Sequence, residues 1–203
     1  MNNLIGIVNY GIAGNIHSVK KAIEKAGGST LVINKPVEFD LVEKIVIPGV
    51  GSFKEAMKEL EDDGFIKPLM EFDGPLLGIC LGMQLLAKLG FEFGRTSGLG
   101  LIDAEVKQIL CDGKIPHMGF KKIKVIKPNI LLSGLEEEEF YFMHSYEMVN
   151  YTNISALTEY SNHSFISAIC NGNLYGVQFH PEKSRDAGVR LFQNFIKLET
   201  NNE

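Results

Sequence analysis

Pro75-Leu76-Leu77-Gly78-Ile79-Cys80-Leu81-Gly82-Met83-Gln84 is the stretch that decides the fold of this chain. Leu76 to Ile79 is a short apolar run of strand character, and Leu81 to Leu89 carries helical spacing. A glycine stands on each side of Cys80, where the chain has to turn sharply. Strand, tight turn and helix with a nucleophile on the turn make a nucleophile elbow, here with cysteine in place of serine. A side chain on that turn is lifted out of the sheet and sits at a helix N-terminus, where unpaired N–H groups and the helix dipole favour the thiolate. The strand-end cysteine is expected to be reactive.

Outward from the elbow, the first half of the chain alternates strands and helices. Leu4 to Val8, Thr30 to Ile33 and Lys44 to Ile47 are short β-branched runs. Between them, Ile16 to Ala26 and Phe53 to Leu60 place Val19, Ile23 and Ala26, and Phe53, Met57 and Leu60, at helical spacing. Such βα units imply an α/β fold with a parallel, doubly wound sheet and a site at the carboxyl ends of its strands. The second half is richer in strands, expected at 102–109, 121–127, 139–149, 154–160, 165–170 and 173–179, before a helix from Arg185 to Leu198. With no repeat and no linker, residues 1–203 read as a single domain.

A thiolate needs a proton acceptor and donor. His180 in Gln178-Phe179-His180-Pro181-Glu182 follows an alternating segment, Leu174 to Phe179, that should be a strand ending at the same sheet edge. Pro181 keeps His180 extended, and Glu182, two residues on, would then share its face and hold the imidazole tautomer. Gly-x-Cys-x-Gly alone also fits a buried cysteine in a tight turn, and a histidine before proline alone fits a satisfied core residue. Their joint occurrence points to a Cys80, His180, Glu182 triad and to cysteine-dependent hydrolysis. Attack on an amide makes an oxyanion that needs N–H donors, and elbow geometry gives one of them to Leu81.

Composition limits the alternatives. Twenty basic against twenty-five acidic residues, a net charge of −5, argues against nucleic acid as partner. No apolar run reaches membrane-spanning length and no leader pattern is present, so a cytoplasmic location is the default expectation. Cys80, Cys111 and Cys170 cannot all pair and have no metal-ligand spacing; neither metal nor cofactor is expected. Asn153-Ile154-Ser155 and Asn162-His163-Ser164 read as chance sequons, and Glu136 to Glu139 as a solvated loop before a strand. Tyr10-Gly11-Ile12-Ala13-Gly14-Asn15 follows the first strand but lacks G-x-G-x-x-G spacing, so it reads as a βα turn and not a phosphate cradle.

Gly-Ile-Cys-Leu-Gly-Met-Gln at 78–84 with Val-Gln-Phe-His-Pro-Glu-Lys-Ser at 177–184 resembles the class I (triad) glutamine amidotransferases. Within that class the Tyr10 to Asn15 loop, Pro48-Gly49-Val50-Gly51-Ser52-Phe53, Pro116-His117-Met118-Gly119 and Tyr141-Phe142-Met143-His144-Ser145-Tyr146 are similar to the glutaminase subunits of imidazole glycerol phosphate synthases. Pro-Gly-Val-Gly discriminates, since most relatives carry a Gly-Gly motif there. The resemblance runs from near residue 4 to near residue 197.

It implies a flavodoxin-like three-layer sandwich with a central mostly parallel sheet and extra strands in the second half. It implies hydrolysis of glutamine to glutamate and ammonia, with the Val50 amide as second oxyanion donor. Gly51, Gln84, His144, Ser145 and Tyr146 would hold the substrate's amino-acid end, and Asn15, Tyr141 and Lys183 would meet a partner. That partner would be a (β/α)8-barrel cyclase subunit in a heterodimer, taking the ammonia to make imidazole glycerol phosphate and aminoimidazole carboxamide ribotide in histidine biosynthesis. Three positions depart from the pattern: Phe120 and Lys121 stand where Trp and Asn are usual, and Glu147 where Tyr or Arg is usual. They keep open a second expectation, a paralogous glutaminase supplying ammonia to another synthase, such as a sugar-amidating system for surface polysaccharide.

Overall fold

The βα units of the first half build one side of a sheet. In the computed structural model, which describes residues 4–11 and 15–199, β1 (Leu4–Val8) leads through α1 (Ile16–Lys25) to β2 (Ser29–Ile33). A 3-10 turn at Pro36–Leu41 leads to β3 (Lys44–Ile47), and α2 (Phe53–Asp62) and α3 (Ile66–Glu71) lead to β4 (Leu76–Ile79). Next come α4 (Leu81–Leu85), β5 (Ala87–Gly90), β6 (Thr96–Ser97), β7 (Ile102–Gln108), β8 (His117–Lys122) and β9 (Lys124–Val125). The chain continues as β10 (Glu139–His144), β11 (Tyr146–Val149), β12 (Ile154–Tyr160), β13 (His163–Asn171) and β14 (Leu174–Val177), and ends with α5 (Arg185–Ile196).

Eight strands form the central sheet in the order β2-β1-β3-β4-β14-β13-β12-β9. The five from β2 to β14 are mutually parallel, and the last three are antiparallel. β3 and β4 lie at its centre and are buried along their whole length, which is why Ile45–Ile47 and Leu76–Ile79 read as continuous apolar runs. One face is covered by α1 and α5 through Val19, Ile23, Leu191, Phe192 and Phe195. The other face packs on α2 and on a four-stranded sheet of order β11-β7-β5-β6. β8 and β10 form a separate antiparallel ribbon. The expected layered sheet with extra strands in the second half is the one observed.

The central topology fixes where chemistry can occur. β1, β3, β4 and β14 are parallel, so their carboxyl ends share one edge, and that edge carries Tyr10, Pro48–Gly51, Cys80 and His180.

Three local expectations are corrected. The helix expected from Leu81 to Leu89 stops at Leu85, and Ala87–Gly90 is a strand. Pairing with β6 and β7 takes that segment out of the helix, and Leu99 N and Ile102 N bind the carbonyls of Leu85 and Leu86. Tertiary pairing outweighs helix propensity differences of less than about 1 kcal/mol per residue. The strand expected at 139–149 breaks at Ser145, because β10 pairs with β8 and β11 with β7. The strand expected at 121–127 begins at His117 and is interrupted at Ile123, whose buried side chain turns into the core. The short α3 has no counterpart in the sequence reading.

Candidate active site

Cys80 occupies φ 54°, ψ −107°, a conformation that non-glycine residues rarely adopt and that places it between β4 and α4. The two flanking glycines are there for space. A methyl on Gly82 would lie 1.9 Å from the Ile47 carbonyl oxygen, and one on Gly78 2.6 Å from the Gly82 backbone. Only bare backbone lets α4 start this close to β3 and β4.

His180 leaves β14 in extended conformation, and its N–H donates to the Tyr141 carbonyl at 2.8 Å. The Ser184 hydroxyl donates to the His180 carbonyl at 2.6 Å and accepts from Tyr141 N at 2.9 Å, so the histidine backbone is pinned on both sides. His180 Nδ1 lies 2.7 Å from Glu182 Oε1, with both side chains essentially buried. The route to that pair differs from the expected one. Pro181–Lys183 is a 3-10 turn, so the carboxylate reaches the imidazole by the curl of the turn and not by alternation along a strand.

With Nδ1 held by Glu182, Nε2 has no other hydrogen-bond partner among the described residues and is the nitrogen left for the Cys80 sulfur. Burial alone would disfavour the charged imidazole. The sulfur and the Glu182 carboxylate outweigh it, and His180 is pushed up to about 10. The Cys80 thiol has the Met143 carbonyl as acceptor at 3.8 Å.

Beside Cys80 lies a cavity of about 180 Å³, bounded by Val50, Gly51 and Leu81 on the elbow side. Gln84, His144, Ser145 and Tyr146 line it as well. The break at Ser145 puts this last segment at a corner between two sheets. Of the expected partner-facing residues, Tyr141 carries Lys183 Nζ 5.7 Å above its ring, whereas the Asn15 amide donates to Glu182 Oε1 and so touches the carboxylate paired with His180.

Several lining residues escaped the sequence reading. Glu92 faces the cavity while its Oε2 accepts from Phe53 N at 2.7 Å, and Pro116 and Met143 complete the wall. An acidic residue between Phe91 and Phe93 was the available signal for Glu92. His117, buried, sits 3.3 Å from His144 and stacks on Tyr160. His144 Nδ1 must donate to the Tyr146 carbonyl at 2.9 Å, so its Nε2 accepts from His117 Nδ1. Both rings are neutral near pH 7: burial lowers His144 to about 3 and His117 to about 4.

A buried sulfur, imidazole and carboxylate at the floor of a polar pocket fits amide hydrolysis, and the chain from residue 8 to residue 198 matches the glutamine amidotransferase class-I family. The chain belongs to that family. This amidotransferase is 41% identical over 203 residues to imidazole glycerol phosphate synthase subunit HisH 1 of Campylobacter jejuni strain RM1221, covering 96% of this chain and 100% of the relative. It is 44% identical over 199 residues to HisH 1 of Vibrio vulnificus strain YJ016, covering 95% and 97%. With HisH 2 of Methanococcus maripaludis strain S2 it shares 43% identity over 203 residues, covering 96% and 99%. Among solved structures, one titled glutamine amidotransferase superposes with TM-score 0.75 at 18% identity over 96% of this chain and 99% of the other. The PurLQS structure from Thermotoga maritima gives 0.76 at 18% identity over 97% and 98%. At that identity the structural likeness concerns the fold.

Proposed function

We propose that this amidotransferase hydrolyses glutamine with Cys80 as nucleophile, His180 as acid and base, and Glu182 as the group that orients His180. Cys80 Sγ attacks the side-chain amide carbon, and the N–H groups of Val50 and Leu81 take the oxyanion. Collapse breaks the C–N bond as His180 gives its proton to the departing ammonia. Water then attacks the γ-glutamyl thioester, its proton passing to His180, and glutamate leaves. Gly51, Gln84, His144, Ser145 and Tyr146 hold the amino-acid end of the substrate. Glu92 is suited to the α-ammonium, since it is the carboxylate among the cavity's lining residues.

The ammonia is used by a (β/α)8-barrel cyclase that docks over Asn15, Tyr141 and Lys183, in the step of histidine synthesis that yields imidazole glycerol phosphate. The observation that carries this reading is the His180 and Glu182 pair set against Cys80 beside the cavity, in a chain with HisH subunits as near full-length relatives. Among the described residues no helix is long and apolar enough to cross a membrane.

Delivery to a different synthase is favoured by one observation. Phe120, a departure from the family pattern, lies 5.4 Å from the Tyr141 ring with Arg185 4.6 Å above it, so the departure adjoins a residue of the proposed docking face. Glu147, by contrast, is an internal partner of His163 at 2.7 Å, away from that face. Deletion of the gene separates the two: histidine auxotrophy rescued by this chain supports the first reading, and prototrophy with altered surface polysaccharide the second.

A further inference from the structure

Cys80 is the end point of a chain of side-chain amides outside the triad. Gln178, fully buried, donates from Nε2 to Cys80 Sγ at 3.6 Å. Its Oε1 accepts from Gln84 Nε2 at 2.9 Å, and the same nitrogen of Gln84 donates to the Tyr146 carbonyl at 2.9 Å. A carboxamide nitrogen carries two hydrogens, so both hydrogens of Gln84 are engaged. A main-chain carbonyl only accepts, so Tyr146 fixes which way Gln84 points. Gln84 then fixes Gln178, which must turn its nitrogen and not its oxygen to the sulfur.

Apart from the His180 imidazole, the other groups near the sulfur favour the thiolate less. The Met143 carbonyl is an acceptor and suits the protonated thiol. The α4 helix is five residues long, so little of a helix dipole stands behind the elbow. A neutral donor aimed at sulfur strengthens as sulfur gains charge.

We propose that Gln178 is a catalytic residue of this site, holding Cys80 as the thiolate through its Nε2–H and receiving the charge again when sulfur leaves. The inference rests on Cys80 being the nucleophile. In the second half of the reaction the water oxygen bonds to the acyl carbon, the C–S bond breaks with its electron pair going to sulfur, and the water proton passes to His180. Gln178 meets the returning charge without moving, because Gln84 and the Tyr146 carbonyl hold its amide in place. Gln84 therefore has its oxygen, and not its nitrogen, to offer the substrate.

The test is the rate of Cys80 alkylation by iodoacetamide across pH 5 to 10, with peptide mapping of the label, on the full chain and on Gln178→Leu, Gln178→Glu and Gln84→Met. His180 and Tyr10, the titratable neighbours of the sulfur, are unchanged in all three. Loss of a hydrogen bond to a charged group should raise the alkylation midpoint by about one pH unit or more in Gln178→Leu. Gln178→Glu, which sets a carboxylate against the sulfur, should raise it further, and Gln84→Met should shift it less in the same direction. Glutaminase kcat should fall at least about tenfold in both Gln178 variants. Circular dichroism identifies any variant that has lost its fold, and the remaining ones decide. Midpoints that overlay the unsubstituted chain overturn the role of Gln178. A label that prefers Cys111 or Cys170, or that leaves hydrolysis intact, overturns instead the assignment of Cys80.

Discussion

Asn15 donates to the same oxygen of Glu182, Oε1, that accepts from His180 Nδ1, while Oε2 is buried without a partner among the described residues. The residue expected at a docking face is thus bonded to the carboxylate that orients the candidate base. Any displacement of the start of α1 on docking would reach His180 through one shared atom.

Asn15→Ala removes a donor from a buried carboxylate, a change worth about 1.5–3 kcal/mol when the acceptor is charged. Glutaminase kcat should fall about tenfold with KM little changed, as Asn15 does not line the cavity. Steady-state assays on the isolated chain check this, and an unchanged kcat would leave Asn15 a docking residue alone.

Cys80→Ser and Cys80→Ala should each lower glutamine hydrolysis by roughly 10⁴-fold or more, as loss of a triad nucleophile does. Cys111→Ser and Cys170→Ser should be close to neutral, since both thiols lie outside the cavity, Cys111 bonding the Gly113 carbonyl and Cys170 the Gly172 carbonyl and Tyr175. Substantial activity in the Cys80 variants would end the thioester mechanism.

Val50→Pro deletes the proposed second oxyanion donor. One such donor is worth about 10²–10³ in rate, so kcat should fall by that factor while a glutamine-like electrophile still labels Cys80. Gly51, at φ 108°, allows the loop a conformation other residues resist. Steady-state glutaminase assays with peptide mapping of the label check this, and an unchanged kcat would remove the Val50 amide from the oxyanion hole.

The buried histidine pair makes acid stability predictable in sign. Desolvation depresses His117 to about 4 and His144 to about 3, below the unfolded value of about 6.5. A histidine held neutral contributes stability above the unfolded pKa and loses it as pH falls towards the folded value. The melting temperature should therefore drop between pH 6.5 and 4. His117→Phe, which keeps an aromatic ring against Tyr160, removes one of the two titrating rings and should make that drop shallower. Melting curves at intervals of half a pH unit decide, and equal slopes would remove the pair from the account.

What the sequence determined by itself was local. Alternating apolar runs and helical spacing sufficed for the parallel half of the sheet, because each βα unit buries its own stripe on a neighbouring strand. Cys80 between two glycines, and His180 two residues before Glu182, were legible because nucleophile, base and carboxylate each need a fixed chemistry. What only the tertiary structure decided was everything set by contacts between distant segments. Leu81 to Leu89 has helical spacing throughout, yet its second half is a strand because β6 and β7 supply hydrogen bonds there. No spacing joins Gln84, Tyr146 and Gln178, or Asn15 to Glu182, since those atoms meet only when the ends of β4, β11, β14 and α1 are brought together. The identities of the reacting groups are written along the chain, whereas their hydrogen-bond partners come from parallel strands ending at one edge, a property of the assembled sheet and of no single segment.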